Sequence, residues 1–489
     1  MNISLESRRR HLASVFLCAL VFRLIFLGWA LSGWHTEPQS GMSQYYFRQG
    51  YGLAAGYGLV SWQGEGGDQL KHLYALVESG HLAASPSTAP PLNGKDVHFD
   101  TFHPPGMAML VAALHRVLGT PADLPVEILG VLFDAIAAVL LCWLVGRAIA
   151  PDVGYATGLL YAFFPPAAHA ASSRTPEGFI ALFVIAAVAS FWLAFAHDKV
   201  RWSRWSALAG LMLGVASYFR PDYLWLPMAL AVGAWAITRE FWASLKAALL
   251  VQCVCFVVLL PWASRNHGLT GRWLFTGSVV GPTLITGLAE FHNPWGYGVS
   301  DMDRQAQARA AGLESWTSSA ADVYFRQLFF RSIEGKPYGY LMAVAKRVPL
   351  ALAPPLDIGL ENPYRRRSFA ERRQANGSDR YAAVRKAPFR ILLAYGDMLA
   401  MAGVTFLALV AWAYLAWRER RQWGLCLFLF MPHFYAVSTH LLTHFEPRFL
   451  SPSIGFLLIG LGYVAALIAA RRSTSSPSDV MPVAASSRS

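Results

Sequence analysis

The sequence predicts an all-α protein that crosses a membrane many times. Of its 489 residues, 55% are hydrophobic and only 14% are charged, whereas a soluble domain carries about 25% charged residues. The mean hydropathy is +0.36, and the 17 Trp, 19 Tyr and 30 Phe residues suit a chain that meets a lipid–water boundary. These values exclude a disordered chain and argue against a soluble enzyme of several domains.

The basic residues lie where a membrane topology would place them. Lys and Arg outnumber Asp and Glu by 41 to 29, a net charge of +12, and such an excess is also typical of proteins that bind nucleic acid. Here, however, the arginines stand beside apolar runs, as at 8–10 before the first run and at 471–472 after the last. Membrane insertion explains that placement without a further assumption. We therefore expect membrane lipids around the protein and no nucleic-acid partner.

Ten apolar runs are predicted to cross the bilayer, which takes about 20 residues per helix. They lie at 12–34, 126–149, 154–173, 176–197, 204–219, 221–238, 243–263, 389–417, 422–442 and 452–470. The first run follows three arginines and has no cleavage site of small residues, which indicates an anchor and not a removed signal peptide.

A further apolar run at 104–118 is predicted not to cross. It is short, opens with Pro104, Pro105 and Gly106, and contains His115 and Arg116. If it stays juxtamembrane or re-entrant, the short basic connections between the other runs all fall on the cytoplasmic side, as the positive-inside rule requires. Both termini are then cytoplasmic.

This topology places two large hydrophilic regions outside, at 35–125 and 264–388. Loops of that length translocate largely regardless of charge, so the many basic residues of the second region do not oppose the arrangement. An amphipathic helix is predicted at 68–80 and an interfacial helix at 338–356. The predicted units are a transmembrane module at 1–263 that includes the first outer loop, a second outer loop at 264–388, a three-helix membrane segment at 389–472, and a disordered cytoplasmic tail at 473–489.

Polar side chains collect at the helix ends on the outer side. They are Glu37, Asp100, His103, Arg174, Glu177, Arg220, Arg265, Asn266, His444, Glu446 and Arg448. Each of them alone is explained by an ordinary interfacial side chain whose charged end reaches water. Five clusters at five helix ends on one side favour a polar cavity at the outer leaflet. Inside the membrane, Arg23 and Asp134 are predicted to form a structural pair.

Several stretches of the sequence together resemble those of a known family. The stretch from Pro261 and Trp262 to Arg265 and Asn266 resembles the "PW-x-x-RN" segment of bacterial GT-C glycosyltransferases, relatives of the protein O-mannosyltransferases and of the aminoarabinose transferase that modifies lipid A. Other elements of the pattern occur in the same order: Arg23; Tyr46, Gly50, Leu53, Gly56 and Gly58; Pro104, Pro105 and Gly106; Thr175 and Glu177; Arg220 and Pro221; His444, Glu446, Arg448 and Phe449.

The resemblance implies a GT-C fold and an enzyme of the cytoplasmic (inner) membrane whose active site faces the periplasm or exterior. Such an enzyme passes a sugar from a polyprenyl phosphate to a glycan, lipid or protein acceptor, with inversion. The reaction needs a general base for the acceptor and positive charge for the leaving phosphate. Arg220, Arg265 and Arg448 are the candidates for the phosphate, because the guanidinium matches phosphate oxygens. His103 and His444 are candidate hydrogen-bond donors or metal ligands; no ligand spacing is diagnostic, and a divalent metal stays open.

The chain departs from the family pattern at the base. The family usually has an acidic residue four positions before Tyr46, and here that position is Met42. Glu37 and Asp100 are the two candidate catalytic carboxylates. Two other functions stay open: a transporter or flippase of a lipid-linked saccharide, and a non-catalytic scaffold descended from a transferase.

Overall fold

The structure is a computed structural model that describes residues 5–31, 41–62, 97–119, 122–196, 201–352 and 388–475. Apart from one short two-stranded sheet, its regular structure is helical, and the predicted all-α polytopic class is confirmed. The helices are α1 (Leu5–Leu31), α2 (Gly41–Ala54), α3 (Gly106–Leu118), α4 (Asp123–Ala148), α5 (Pro151–Ala162), α6 (Pro165–Ala171), α7 (Glu177–Ala196), α8 (Trp202–Phe219), α9 (Leu226–Thr238), α10 (Phe241–Thr270), α11 (Val280–Ala289), α12 (Asp301–Ala310), α13 (Ser319–Gly335), α14 (Pro337–Leu352), α15 (Pro388–Arg418), α16 (Trp423–Leu442) and α17 (Ile454–Ser475).

Among the residues that the structure describes, seven helices are long and apolar enough to cross a membrane: α1, α4, α7, α10, α15, α16 and α17. The three other predicted crossings are shorter or broken. The run at 204–219 corresponds to α8, and that at 221–238 is a 3-10 turn followed by α9. The number of ten crossings stays a prediction.

The crossing predicted at 154–173 is two helices, α5 and α6, with a break before Pro165 and Pro166. Proline lacks the backbone N–H that a continuing helix needs but suits the first helical turn, so the pair ends one helix and begins the next. The run at 104–118 forms α3. Its 13 residues span about 20 Å, less than the hydrocarbon thickness of about 30 Å, in agreement with the juxtamembrane prediction.

Two predicted boundaries were wrong. The run at 243–263 was expected to end its helix before Arg265 and Asn266, but α10 continues to Thr270 and ends at Gly271, whose φ is 71°. The helical hydrogen bonds continue beyond the end of the apolar run at residue 263. The tail expected from residue 473 begins within α17, which ends at Ser475.

The membrane helices pack side by side around one core. α4 contacts α7, α7 contacts α8, α8 contacts α10, and α10 contacts α9; α9, α16, α17 and α5 continue the series back to α4. Buried Ala, Val, Leu and Phe side chains fill the spaces between them. Helices α11 to α14 form a smaller unit with its own apolar centre, which includes Ile285, Phe325 and Phe329.

The predicted pair of Arg23 and Asp134 is confirmed. The Arg23 guanidinium donates to the Asp134 carboxylate, and the Tyr161 hydroxyl donates to the other oxygen at 2.5 Å. Arg23 also donates to the Ala162 carbonyl at 2.8 Å. Both charged side chains are buried, so each supplies the partner that the other needs to stay charged inside the protein. The pair joins α1 to α4 and α5.

Candidate active site

The ends of three membrane elements meet at the Glu177 carboxylate. Glu177 begins α7, Arg220 follows α8, and Arg448 lies in the 3-10 turn before α17. Glu177 Oε1 lies 2.5 Å from Arg220 Nη1 and 3.8 Å from Arg448 Nε. Arg220 Nη2 lies 2.8 Å from Asp222 Oδ2, and its guanidinium stacks 3.9 Å from the centre of the Phe449 ring. The expected convergence of these helix ends is therefore present in the structure.

A chain of ion pairs continues from Arg448 to the smaller unit formed by helices α11 to α14. Arg448 Nε lies 2.6 Å from Glu446 Oε2, and Glu446 Oε1 lies 3.2 Å from His444 Nε2. The other His444 nitrogen bonds to Glu290, which lies 2.6 Å from Arg347 Nε. Opposite charges alternate along the chain, so each buried group has a neighbour that offsets its loss of water.

The pairing fixes the charge of His444. Burial disfavours the protonated imidazole, but the hydrogen bonds to Glu290 and Glu446 outweigh burial and raise the pKa of His444 to about 9. Burial likewise opposes the ionised form of Glu446, yet Arg448 and His444 hold the pKa of its carboxyl well below the usual range. At neutral pH the cluster therefore contains a protonated imidazole between two carboxylates.

This charge state predicts a pH-dependent stability. Because the pKa of His444 is about 9 in the folded protein and about 6.5 in an unfolded chain, its contribution is complete below about pH 6.5 and is lost as the pH rises through 9. The free energy of unfolding should fall more steeply with pH over this window in the native protein than in His444→Gln. Chemical unfolding in detergent between these pH values measures both slopes; equal slopes would contradict the pairing.

Asp100 lies in a second polar group, formed by α2 and the segment after β2. Strands β1 (Val60–Trp62) and β2 (Val97–Phe99) pair antiparallel, and Asp100 follows directly. Its carboxylate accepts hydrogen bonds from Gln49 and from the backbone N–H of Phe102, the latter at 2.9 Å. Burial and the Asp100 carboxylate raise the pKa of the Tyr45 hydroxyl.

His103 lies in the same wall as a neutral imidazole. Its ring centre is 4.7 Å from that of Tyr45 and 5.6 Å from that of Tyr46. Burial lowers the pKa of His103 to about 4, against an opposing effect of Asp100. Its Nδ1 is buried and has no hydrogen-bond partner among the described parts of the chain. A buried polar atom without a partner costs free energy. A ligand that forms a hydrogen bond with Nδ1 removes that cost.

Tyr46 connects the two polar groups. The residue is 3% exposed; burial raises the pKa of its hydroxyl, and the charges of Arg220 and Glu177 act on it in opposite directions. His103 is likewise influenced by Arg220 as well as by Asp100. Charges of both polar groups therefore act on the His103 side chain.

Arg265 and Asn266 donate hydrogen bonds to backbone carbonyls of the segments next to these polar groups. Arg265 donates to the carbonyl of Asp100 at 2.8 Å and to that of Leu59 at 3.0 Å. Asn266 is buried and donates to the Leu274 carbonyl at 2.9 Å. Arg265 therefore holds the loop that carries Asp100, and Asn266 holds the segment after α10. Contact with the phosphate stays a prediction for Arg265.

Two glycines permit the close approach of these segments. A side chain at Gly106 would place its Cβ 2.5 Å from the carbonyl oxygen of Tyr218, near the end of α8. Gly277 has a φ of 80°, and a Cβ there would lie 2.4 Å from the Phe102 carbonyl oxygen. Neither space admits a side chain, which explains the glycine of the Pro-Pro-Gly run.

Arg174 belongs to a separate group. It lies 2.7 Å from Asp123 and 2.8 Å from Glu127, both in the first turns of α4. The Tyr51 hydroxyl donates to Asp123 at 3.0 Å and so ties this group to α2. Glu37, the other candidate base, lies outside the described residues.

Sequence reasoning missed several residues of the site. They are Gln49, Asp123, Glu127, Glu290 and Arg347. Arg347 could have been recognised in the sequence, because it interrupts the apolar run at 338–356. In the structure it is fully buried. Nothing in the sequence distinguishes Glu290, since it is one polar residue among many in the long region at 264–388. Among the residues that the structure describes, no group of three or more His, Cys, Asp or Glu side chains is arranged to hold a metal ion.

Comparison with known proteins finds a family that matches part of the chain. Residues 102–264 match the model of a family described as dolichyl-phosphate-mannose-protein mannosyltransferase. Over these residues the chain is similar to that family, which supports the resemblance to GT-C glycosyltransferases seen in the sequence. No curated protein matches the chain. The matched third of the chain begins two residues after Asp100, contains Glu177 and Arg220, and ends just before Arg265.

Proposed function

We propose that the protein is a GT-C glycosyltransferase that moves a sugar, with inversion, from a polyprenyl-phosphate donor to a glycan, lipid or protein acceptor at the outer face of the cytoplasmic membrane. The observation that carries the proposal is the presence of a buried carboxylate, Asp100, near His103, together with two guanidinium groups, Arg220 and Arg448, at the Glu177 carboxylate. The name of the matching family, which contains a lipid-phosphate mannose donor, supports the donor class.

Asp100 is the proposed general base. Its oxygens accept from Gln49 and from the Phe102 N–H, so the carboxylate is held in one orientation. In an inverting transfer the acceptor hydroxyl gives its proton to such a carboxylate as its oxygen bonds to the anomeric carbon. The bond between that carbon and the phosphate oxygen breaks, and the electron pair leaves with the polyprenyl phosphate.

Arg220 and Arg448 are the proposed partners of the departing phosphate. Both contact Glu177, and their other acidic neighbours, Asp222 and Glu446, orient the two guanidinium groups. Fixed positive charge is most effective where negative charge develops in the transition state. The neutral His103, with its unpartnered Nδ1, is placed to bond a sugar hydroxyl.

The outer location of the site is proposed from charge. The short basic connections at 147, 199–204, 239–246, 418–421 and 471–472 all lie on the side opposite Glu177, Arg220 and Arg448 in the predicted topology. A site on that outer face meets a lipid-linked donor in the outer leaflet and an acceptor that approaches from outside.

A transfer assay tests the function. Purified full-length protein in proteoliposomes should release polyprenyl phosphate from a radiolabelled polyprenyl-phosphate sugar and pass the label to envelope acceptors supplied from a membrane extract. Asp152→Asn, an exposed acid at the start of α5, is the matched control and should keep full activity. Movement of the intact labelled lipid across the bilayer without any transfer would show a flippase instead. Donor binding without transfer would show a non-catalytic scaffold.

A further inference from the structure

A groove of about 590 Å³ opens where α10 leaves the membrane bundle, between the end of that helix and α13. α10 is one of the seven helices able to cross the membrane, and it ends at Gly271. Arg272 and Trp273, the next two residues, form one side of the groove, and Arg326 and Phe330 of α13 form the other. The groove therefore lies just beyond the C-terminal end of a candidate membrane helix and outside the proposed active site.

The groove has an excess of positive charge. Arg272 donates to the Ser319 carbonyl at 3.1 Å, a contact with a neutral group. Arg326 Nε lies 2.9 Å from the Asp322 carboxylate, which also accepts from the Gly281 N–H at 2.7 Å. Asp322 is only 3% exposed, whereas Arg326 is 42% exposed. Two guanidinium groups thus reach the groove, and one carboxylate lies behind them.

Two large aromatic side chains flank these arginines and face outward. Trp273 is 55% exposed and Phe330 is 59% exposed. Aromatic rings are enriched where a membrane helix meets the lipid head groups, since the ring enters the apolar layer and its edge stays near water. The combination of exposed rings, the Arg272 guanidinium and the partly exposed Arg326 guanidinium is complementary to an anionic amphiphile.

We propose that this groove binds the phosphate of an anionic lipid head group in the leaflet where α10 ends. Arg272 and Arg326 contact the phosphate oxygens, and Trp273 and Phe330 lie against the upper part of the acyl chains. Gln327, on the same face of α13, supplies an amide for the hydroxyl groups of the head group.

The wall of the groove is continuous with the segment that carries the proposed base. Leu274, which lines the groove, accepts the hydrogen bond of Asn266. Four residues further on, the Ser278 N–H donates to the carbonyl of Thr101 at 2.8 Å. The groove therefore shares a segment, 274–278, with the contacts to the loop that carries Asp100, although binding itself does not require sugar transfer.

Binding of short-chain lipids to the full-length protein in neutral detergent tests the proposal. Dihexanoyl phosphatidylglycerol should bind with a measurable dissociation constant in calorimetry, and dihexanoyl phosphatidylcholine more weakly. Arg272→Gln should raise that dissociation constant roughly tenfold, as expected for one charge-assisted hydrogen bond. Arg272 is exposed, so its replacement does not endanger folding. Arg272→Gln with Arg326→Gln should abolish measurable binding.

The matched control is Arg309→Gln, an exposed arginine in the last turn of α12; its dissociation constant should equal that of the native protein. Equal binding by Arg272→Gln and the native protein overturns the proposal. Equal binding of the two lipids overturns the requirement for an anionic head group. Inorganic phosphate that binds as tightly as the lipid overturns the lipid assignment and leaves a plain phosphate site. Each result is independent of whether the transfer assay succeeds.

Discussion

Replacement of Asp100 by Asn is expected to lower the rate constant of sugar transfer about 10²–10⁴-fold, the usual contribution of a general base. Asn has nearly the same shape and can still accept the hydrogen bond from the Phe102 N–H, so the loop should stay in place. The affinity for the donor should change little, because the phosphate partners Arg220 and Arg448 are untouched. The measurement is kcat for transfer together with the dissociation constant of the polyprenyl-phosphate sugar.

The competing assignment gives an opposite result. If Glu37 is the base, Glu37→Gln loses transfer while Asp100→Asn keeps it. Two measurements separate a base from a structural residue: a folded Asp100→Asn protein should lose kcat while its thermal stability and its dissociation constant for the donor stay close to the native values. Asp152→Asn provides the reference for the removal of a carboxylate elsewhere. Full activity in Asp100→Asn would remove Asp100 from the mechanism.

Replacement of Arg220 by Gln is expected to reduce kcat about 10²–10³-fold, as when one fixed group that stabilises transition-state charge is removed. Arg220 is held by Glu177 and Asp222 and is preorganised for a phosphate that gains charge as the sugar leaves. Arg448 stays near Glu177, at 3.8 Å, and so keeps part of the positive charge. Transfer rates and donor affinity for the single variant measure the effect.

A second variant separates chemistry from folding. Arg220→Gln alone leaves Glu177, which is 2% exposed, without its nearest cation, and unpaired buried charges destabilise proteins. Arg220→Gln with Glu177→Gln removes both charges and should recover thermal stability without recovering transfer. Arg309→Gln should behave as the native protein in both measurements. Recovery of transfer in the double variant would show that Arg220 serves the fold and not the phosphate.

The membrane architecture was predictable because apolar runs and short basic connections report directly on insertion. The same logic placed Glu177, Arg220 and Arg448 on one side, and the structure brings them into contact. It failed at 154–173, where Pro165 and Pro166 break a run that is apolar throughout. Hydropathy measures the preference of side chains for lipid, whereas the break depends on a missing backbone N–H.

The tertiary partners of the site were not predictable in this way. The Arg265 guanidinium bonds to the carbonyls of Leu59 and Asp100, and backbone carbonyls have no signature in sequence. Glu290 pairs with His444 across more than 150 residues, and neither residue differs locally from an ordinary surface residue. A single sequence contains the charges, but only packing decides which of them become neighbours.

The bridge from Glu290 to His444 joins parts of the chain that are synthesised at different times. Translation proceeds from the amino end, so α11 and α14 emerge before α16. Until α16 has been inserted, Arg347 lacks the Leu441 carbonyl to which it donates at 2.6 Å, and Glu290 lacks the Phe445 N–H that donates to it at 2.7 Å. The contacts that join α11 and α14 to α16 and to the residues after it therefore form only after α16 has been synthesised.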